Sequence, residues 1–187
     1  MLKSVRDLRN DSGIWKYRME GQMPNVKMLY QLYNKGLLDF EVFLPSLGLN
    51  LQRAYVWNKQ QRSRLIESVL TSFFIPYISV VRIKNSQGDG DIRQVIDGKQ
   101  RLLTLLKFFE GDFRINIGGD DYFFNELPKE YQTVISNFTP RCFEVQEDHN
   151  LKIVEEDKID WFLAINDFGT PQSSDYINLL KKSLNKR

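Results

Sequence analysis

Among its 187 residues the chain has one cysteine, Cys142, and one histidine, His149. Disulfides, cysteine-rich zinc sites, a Cys/His nucleophile pair with a second orienting histidine, and His–His metal clusters are therefore excluded within the chain. So is an intact nuclease centre of the HNH type, in which histidines both activate water and hold the metal. No stretch approaches the ~18 consecutive apolar residues of a membrane span, and "MLKSVRDLRNDSG" at the start has no apolar core of the secretory kind. A soluble, cytoplasmic protein with no membrane partner is the expectation. Neither GxxxxGK[ST] nor GxGxxG occurs, so a Walker loop and a dinucleotide fingerprint are both absent. Net charge is small as well, at +2.

What the chain does have is apolar residues at 42% and aromatic residues at 13%, enough for a globular core. Its charge is unevenly spread. From Leu51 to Lys107 there are ten Lys/Arg against four Asp/Glu, a balance of +6, and from Phe108 to Asp160 five against thirteen, a balance of −8. A basic segment of this kind suits polyanions, although solvated surfaces also collect Lys and Arg. No repeat or linker is visible, which points to one unit over residues 1–187. Within it lie a helical segment over 1–36, a core over 49–176, and the end of the last helix over 177–187.

In "NVKMLYQLYNKG", Val26, Leu29, Tyr30 and Tyr33 recur at helical spacing, with Asn25 as cap and Gly36 as stop. Leu37 to Asn50 reads as extended or looped. "NKQQRSRLIESVLTSFF" places Leu65, Ile66, Val69, Leu70 and Phe73 on one stripe behind an Asn58 cap. "PYISVVRI" and "IRQVI" are strand-like runs joined by the turn-rich "KNSQGDGD". Asp89 and Asp91 there read as turn residues, since the rest of a calcium loop is missing. A second hairpin in "DFRINIGGDDYFF", a helix in "LPKEYQTVISNF", a strand in "RCFEVQ" and two closing helices complete an α+β fold, a small mixed sheet with flanking helices. Cys142 is expected to be a small buried apolar residue. Ser173 or Ser174 can cap the last helix, and its Lys181, Lys182, Lys186 and Arg187 suit the helix C-terminus.

The informative stretch is "VIDGKQRLLTLLKFF". If Asp97 ends a strand and Gly98 makes the turn, Lys99 and Arg101 lie in the first turn of a helix, where the dipole disfavours cations by ~0.3–1 kcal/mol each. An anion at that point would satisfy the free N–H groups of the helix start and pair with both cations. Gly98 would let a phosphate approach the backbone. The residues equally allow Asp97 to be a simple N-cap, with the cations in solvent.

Three ordered stretches carry a resemblance. "VIDGKQRLLTL", "LQRAYVWNKQQRSRLIESVL" and "FLAINDFGTPQSSDY" resemble the motifs of the ParB/sulfiredoxin-like DGQQR-motif domain family, which includes the GmrSD N-terminal-type domain of modification-dependent restriction and Ssp-type phage defence. The similarity runs from about Leu49 to Tyr176. It implies a ParB/sulfiredoxin-like fold whose DGQQR turn binds a nucleoside triphosphate with Mg²⁺ and supports its hydrolysis. Asp97, Gly98, Gln100 and Arg101 match that motif, Gln52, Arg53, Tyr55 and Trp57 the upstream segment, and Asn166, Gly169 and Thr170 the downstream block. Lys99 replaces the usual Gln, and Gln172 stands where Leu is usual.

On this resemblance Arg101 stabilises charge growing on a phosphoryl group, Asp97 orients water or holds Mg²⁺, and Gln100 positions water or a phosphate oxygen. Gln52, Arg53, Tyr55, Trp57, Gly98, Lys99 and Asn166 are the nucleotide-binding or phosphate-binding candidates. Arg53 also reads as a surface ion pair, Tyr55 and Trp57 as core aromatics, and Asn166 as a helix C-cap. Three functions stay open: an NTP-hydrolysing regulatory domain acting with a partner nuclease, a non-enzymatic nucleotide- or DNA-binding module, and a ParB-like nuclease. The partners implied are a nucleoside triphosphate, DNA, a nuclease subunit and a second copy of the chain.

Overall fold

A computed structural model describes residues 17–86, 90–147, 150–167 and 174–184, together with Gly13 and Gly88. Asp89, His149, Gly169, Thr170, Gln172, Ser173, Lys186 and Arg187, singled out above, lie outside the described residues.

The centre is a five-stranded mixed sheet in the order β1-β9-β5-β6-β2. Its strands are β1 (Met19–Gln22), β2 (Leu38–Asp39), β5 (Ile78–Ile83), β6 (Ile92–Asp97) and β9 (Arg141–Gln146). The turn-rich linker closes β5 and β6 into an antiparallel hairpin, as its composition requires, while β9 runs parallel to β5 and β2 parallel to β6. Two small hairpins stand apart, β3 (Phe43–Leu44) with β4 (Leu49–Asn50), and β7 (Ile115–Ile117) with β8 (Asp120–Tyr122). The fold is α+β.

Alternation along the inner strands feeds two cores. Val80, Val95 and Cys142 face a layer built from α1 (Val26–Asn34), α2 (Lys59–Leu70), α3 (Lys99–Glu110) and α4 (Lys129–Asn137). Val81, Ile96 and Val145 face the opposite layer, built from α5 (Glu155–Asp167) and α6 (Ser174–Leu184). Side chains of successive strand residues point to opposite faces, so a sheet covered on both sides must be apolar at consecutive positions. Val80–Val81 and Val95–Ile96 are such pairs. Among the described residues no helix is long and apolar enough to cross a membrane.

The helix ends follow the capping residues. Asn25 Oδ1 accepts from Met28 N at 2.9 Å, and Asn58 forms a reciprocal capping box with Gln61. One expectation fails at the far end of α2. Helical spacing puts Phe73 on the apolar stripe, yet it is 71% exposed. The helix stops at Leu70, and Ser72 takes a left-handed conformation (φ 54°) that turns Phe73 out of the stripe. Asp91 is a structural anion: it accepts from Arg82 Nε at 2.9 Å and from Lys84 Nζ at 3.2 Å. The Arg82 hydrogen bond, foremost, holds its carboxyl below the usual range. Cys142 is buried, and burial pushes its thiol up to about 11, which suits a packing residue and not a nucleophile.

Candidate functional site

β6 ends at Asp97, Gly98 occupies the N-cap position, and α3 begins at Lys99, the junction the motif predicts. Gly98 has φ 104°, a conformation that side chains disfavour. A Cβ there would also lie 2.4 Å from Ile78 Cδ1 on β5. The missing side chain thus makes room for the neighbouring strand, a need separate from the close phosphate approach expected of it.

No side chain caps α3, in contrast to α1 and α2. Asp97 does not serve as N-cap, because Gly98 holds that position and leaves Asp97 one residue too early. Its Oδ2 instead accepts from Arg101 Nη2 at 2.7 Å, one turn along the helix. The same Nη2 donates to the Tyr77 carbonyl at 3.1 Å. Arg101 Nε is buried without a partner, and Nη1 makes no hydrogen bond among the described residues. The guanidinium is therefore fixed at the helix start and keeps donors in hand.

Two of the three predicted clusters come together here. The upstream segment lies along the first turns of α3 and is fastened by side chains. Gln100 Nε2 donates to the Ala54 carbonyl and Gln100 Oε1 accepts from Val56 N, both at 3.0 Å, so its amide pairs with the segment as a strand would. Tyr55 Oη shares a hydrogen bond with Thr104 Oγ1 at 2.8 Å. Tyr55 and Trp57 both pack against the first core, the role their aromatic character allowed.

Gln52 is 8% exposed and donates to the carbonyls of Val95, at 3.0 Å, and Ile96. It covers the stretch of β6 that β2, paired only with Arg93 and Gln94, leaves open. Arg53 projects between these anchors. It is exposed and has neither hydrogen bond nor ion pair among the described residues.

Two predicted residues have their side chains engaged by other partners. Lys99 is 3% exposed and turns inward to Glu41, its Nζ 2.7 Å from Oε1. Asn166 is not a C-cap. It lies within α5 and donates through Nδ2 to the Phe162 carbonyl at 2.7 Å. The downstream block reaches the upstream one through Tyr176 Oη, which donates to the Asn50 carbonyl at 2.7 Å, and burial pushes its phenol up to about 12.

Sequence reasoning missed Glu41 and Tyr77. A lysine in the first turn of a helix, with no acid three or four residues along, implies a carboxylate from elsewhere, which pointed toward Glu41 without identifying it. A backbone acceptor such as the Tyr77 carbonyl leaves no trace in residue type.

Of the ten cations between Leu51 and Lys107, seven form ion pairs inside the fold: Lys59, Arg82, Lys84, Arg93, Lys99, Arg101 and Lys107. Arg62 stacks on the Phe113 ring, 4.3 Å from its centroid. The basic segment therefore offers far less free charge than its composition suggests, which leaves Arg53 conspicuous beside the motif.

Asp97 Oδ1 accepts no hydrogen bond among the described residues, and the side chain is 35% exposed. That oxygen is the hard donor Mg²⁺ takes, and among the described residues no group of three or more acids, histidines or cysteines gathers to hold a metal ion. In comparisons with known proteins, residues 27–186 match the family model described as GmrSD restriction endonuclease, N-terminal domain. No curated protein and no solved structure gives a significant match.

Proposed function

The chain belongs to the family of GmrSD restriction endonuclease N-terminal domains, and from that premise we propose that it is the nucleoside-triphosphate-binding and hydrolysing component of a DNA restriction or phage-defence system. On this reading the phosphates lie at the start of α3, as the ParB/sulfiredoxin-like resemblance implies, and the domain passes its nucleotide state to a nuclease partner acting on DNA. The observation that carries it is the uncapped helix start with Arg101 fixed beside it and donors to spare. Its free N–H groups and positive dipole end suit an oxyanion.

Arg101 draws negative charge from the transferring phosphoryl group, and Arg53 reaches the same anion from the adjoining segment. Gln100 sets the distance between these two parts through its pairing with Ala54 and Val56. Asp97 would hold Mg²⁺ together with the phosphates, and the ion would supply charge neutralisation at the phosphate oxygens.

Phosphate release from ATP, GTP, CTP and UTP with Mg²⁺ tests the proposal. The wild type should turn over at least one of them, and Arg101→Ala should lower the rate by about a hundredfold or more. Absence of both turnover and calorimetric binding would refute it. A second reading, nucleotide binding without hydrolysis, is supported by the Asp97–Arg101 ion pair, which occupies both candidate catalytic groups with one another. Tight binding with no phosphate released would select it.

A further inference from the structure

We propose that a pocket of about 450 Å³ at the same end of the sheet, walled by Phe73, Phe74, Tyr77, Phe138, Gln22 and Arg141, is the subsite for the base of the bound nucleoside triphosphate. This inference rests on the phosphate reading given above.

The first observation is the exposure of its wall. Phe73 and Phe74 are each 71% exposed, more than any other large hydrophobic residue described. They do not hang from a loose loop. Ser72 N donates to the Val69 carbonyl at 3.3 Å and Phe73 N to the Ser68 carbonyl at 2.9 Å, so the end of α2 fixes the backbone that carries them. Two adjacent aromatic rings held in water offer stacking area that accepts any base, because every base has a π face.

The second observation is position. β5 and β9 begin at this end of the sheet, and β1 and β6 finish there. Ser79 pairs with Asp97 on one side and with Phe143 on the other, so Arg141 stands two strands across and two residues along from Asp97, about 12 Å at the usual strand spacing and rise. A nucleoside triphosphate spans that gap between its base and its phosphates. Tyr77 joins the two places directly. Its carbonyl accepts from Arg101 at 3.1 Å, while its phenol oxygen accepts from Arg141 Nη1 at 3.1 Å and donates to Glu20 Oε1 at 2.5 Å.

The third is chemistry. In the same lining, Arg141 supplies donors, and the Gln22 amide supplies both a donor and an acceptor. These groups fit the edge of a base or the hydroxyls of a ribose. The volume lies within the range of small-ligand sites.

Calorimetry on the full chain with Mg²⁺ separates this subsite from the phosphate site, with each of the four nucleoside triphosphates, inorganic tripolyphosphate and a single-stranded oligonucleotide as probes. The Phe73→Ala/Phe74→Ala double variant, whose fold is checked by circular dichroism, should weaken nucleoside-triphosphate binding about tenfold and leave tripolyphosphate binding unchanged. Arg101→Ala should lose both. Equal nucleotide affinity in the double variant overturns the subsite while leaving the phosphate site intact. So does a loss confined to the oligonucleotide, which would assign the rings to bases of DNA. A wild type that binds neither nucleotide nor tripolyphosphate removes the phosphate reading, and this one with it.

Discussion

Lys158 on α5 shows what burial asks of a single cation. It is 9% exposed, and its ammonium has no hydrogen bond or ion pair among the described residues. Burial holds its ammonium below the ordinary lysine value of 10.5, against the opposing pull of Asp39, Glu155, Glu147 and Asp157. Between the folded and unfolded values the folded state binds fewer protons, so stability should rise with pH through that window and level off above it. Lys158→Met keeps the chain length and removes the charge. It should raise stability at pH 7 by about 1 kcal/mol and flatten the alkaline rise in urea unfolding at pH 7 and pH 10. A Met variant less stable at both values would contradict the account. Nothing in "EEDKIDWFLAIN" marks this lysine as buried, since acids flank it and a solvated face is the ordinary place for such a run. Arg101 was more legible. Two cations in a first turn are anomalous on their face, and Asp97 stands four residues before Arg101, the spacing of a helical ion pair.

The end of α2 shows how far periodicity extends and where it stops. Four residues beyond Val69, Phe73 continues the stripe arithmetically, but the helix ends before reaching it. No Gly or Pro announces that end, because Ser72 takes the left-handed position where glycine is the usual choice. Ser72→Gly relieves that conformation and should stabilise the protein by about 0.5–1 kcal/mol, read as a rise of roughly 1–4 °C in melting temperature. A fall would mean that the serine side chain contributes more than its backbone costs. The other helices were legible from their spacing, α1 also from its Asn25 cap, and the β5–β6 hairpin from β-branched runs around a Gly/Asp-rich turn. β1 was not. "MEGQ" lacks β-branched residues, and all four residues are exposed, so this strand exists because β9 offers it a partner.

Across the whole molecule, the cores on the two faces of the sheet share β5, β6 and β9, whose alternate residues enter one or the other. Unfolding of one core should therefore remove the wall of the other. Trp57 packs against the first and Trp161 lies in the second, so they report on the two separately. With Trp15 replaced by Phe throughout, variants keeping only Trp57 or only Trp161 should give denaturation curves that each coincide with their own circular-dichroism curve. Fluorescence midpoints displaced from circular dichroism by more than about 0.3 M urea would show two independent layers. The α+β class was legible because strand-like and helical runs alternate without repeats. Strand order was not, since β9 and β2 find parallel neighbours far along the chain. The contact between the upstream segment and the Gly98 turn depends on that same long-range geometry: Gln52 bonds to β6 and Gln100 to the 54–56 backbone, neither of which spacing alone can reveal.

That Gln100 pairing has a consequence for ligand capture. It holds the stretch carrying Arg53 against the helix carrying Arg101 through side-chain hydrogen bonds of the fold itself, so on the proposed reading no loop would have to be ordered to receive an anion. The entropy of bringing the two guanidinium-bearing segments together is surrendered once, during folding, and the proposed ligand would then meet a backbone already in place.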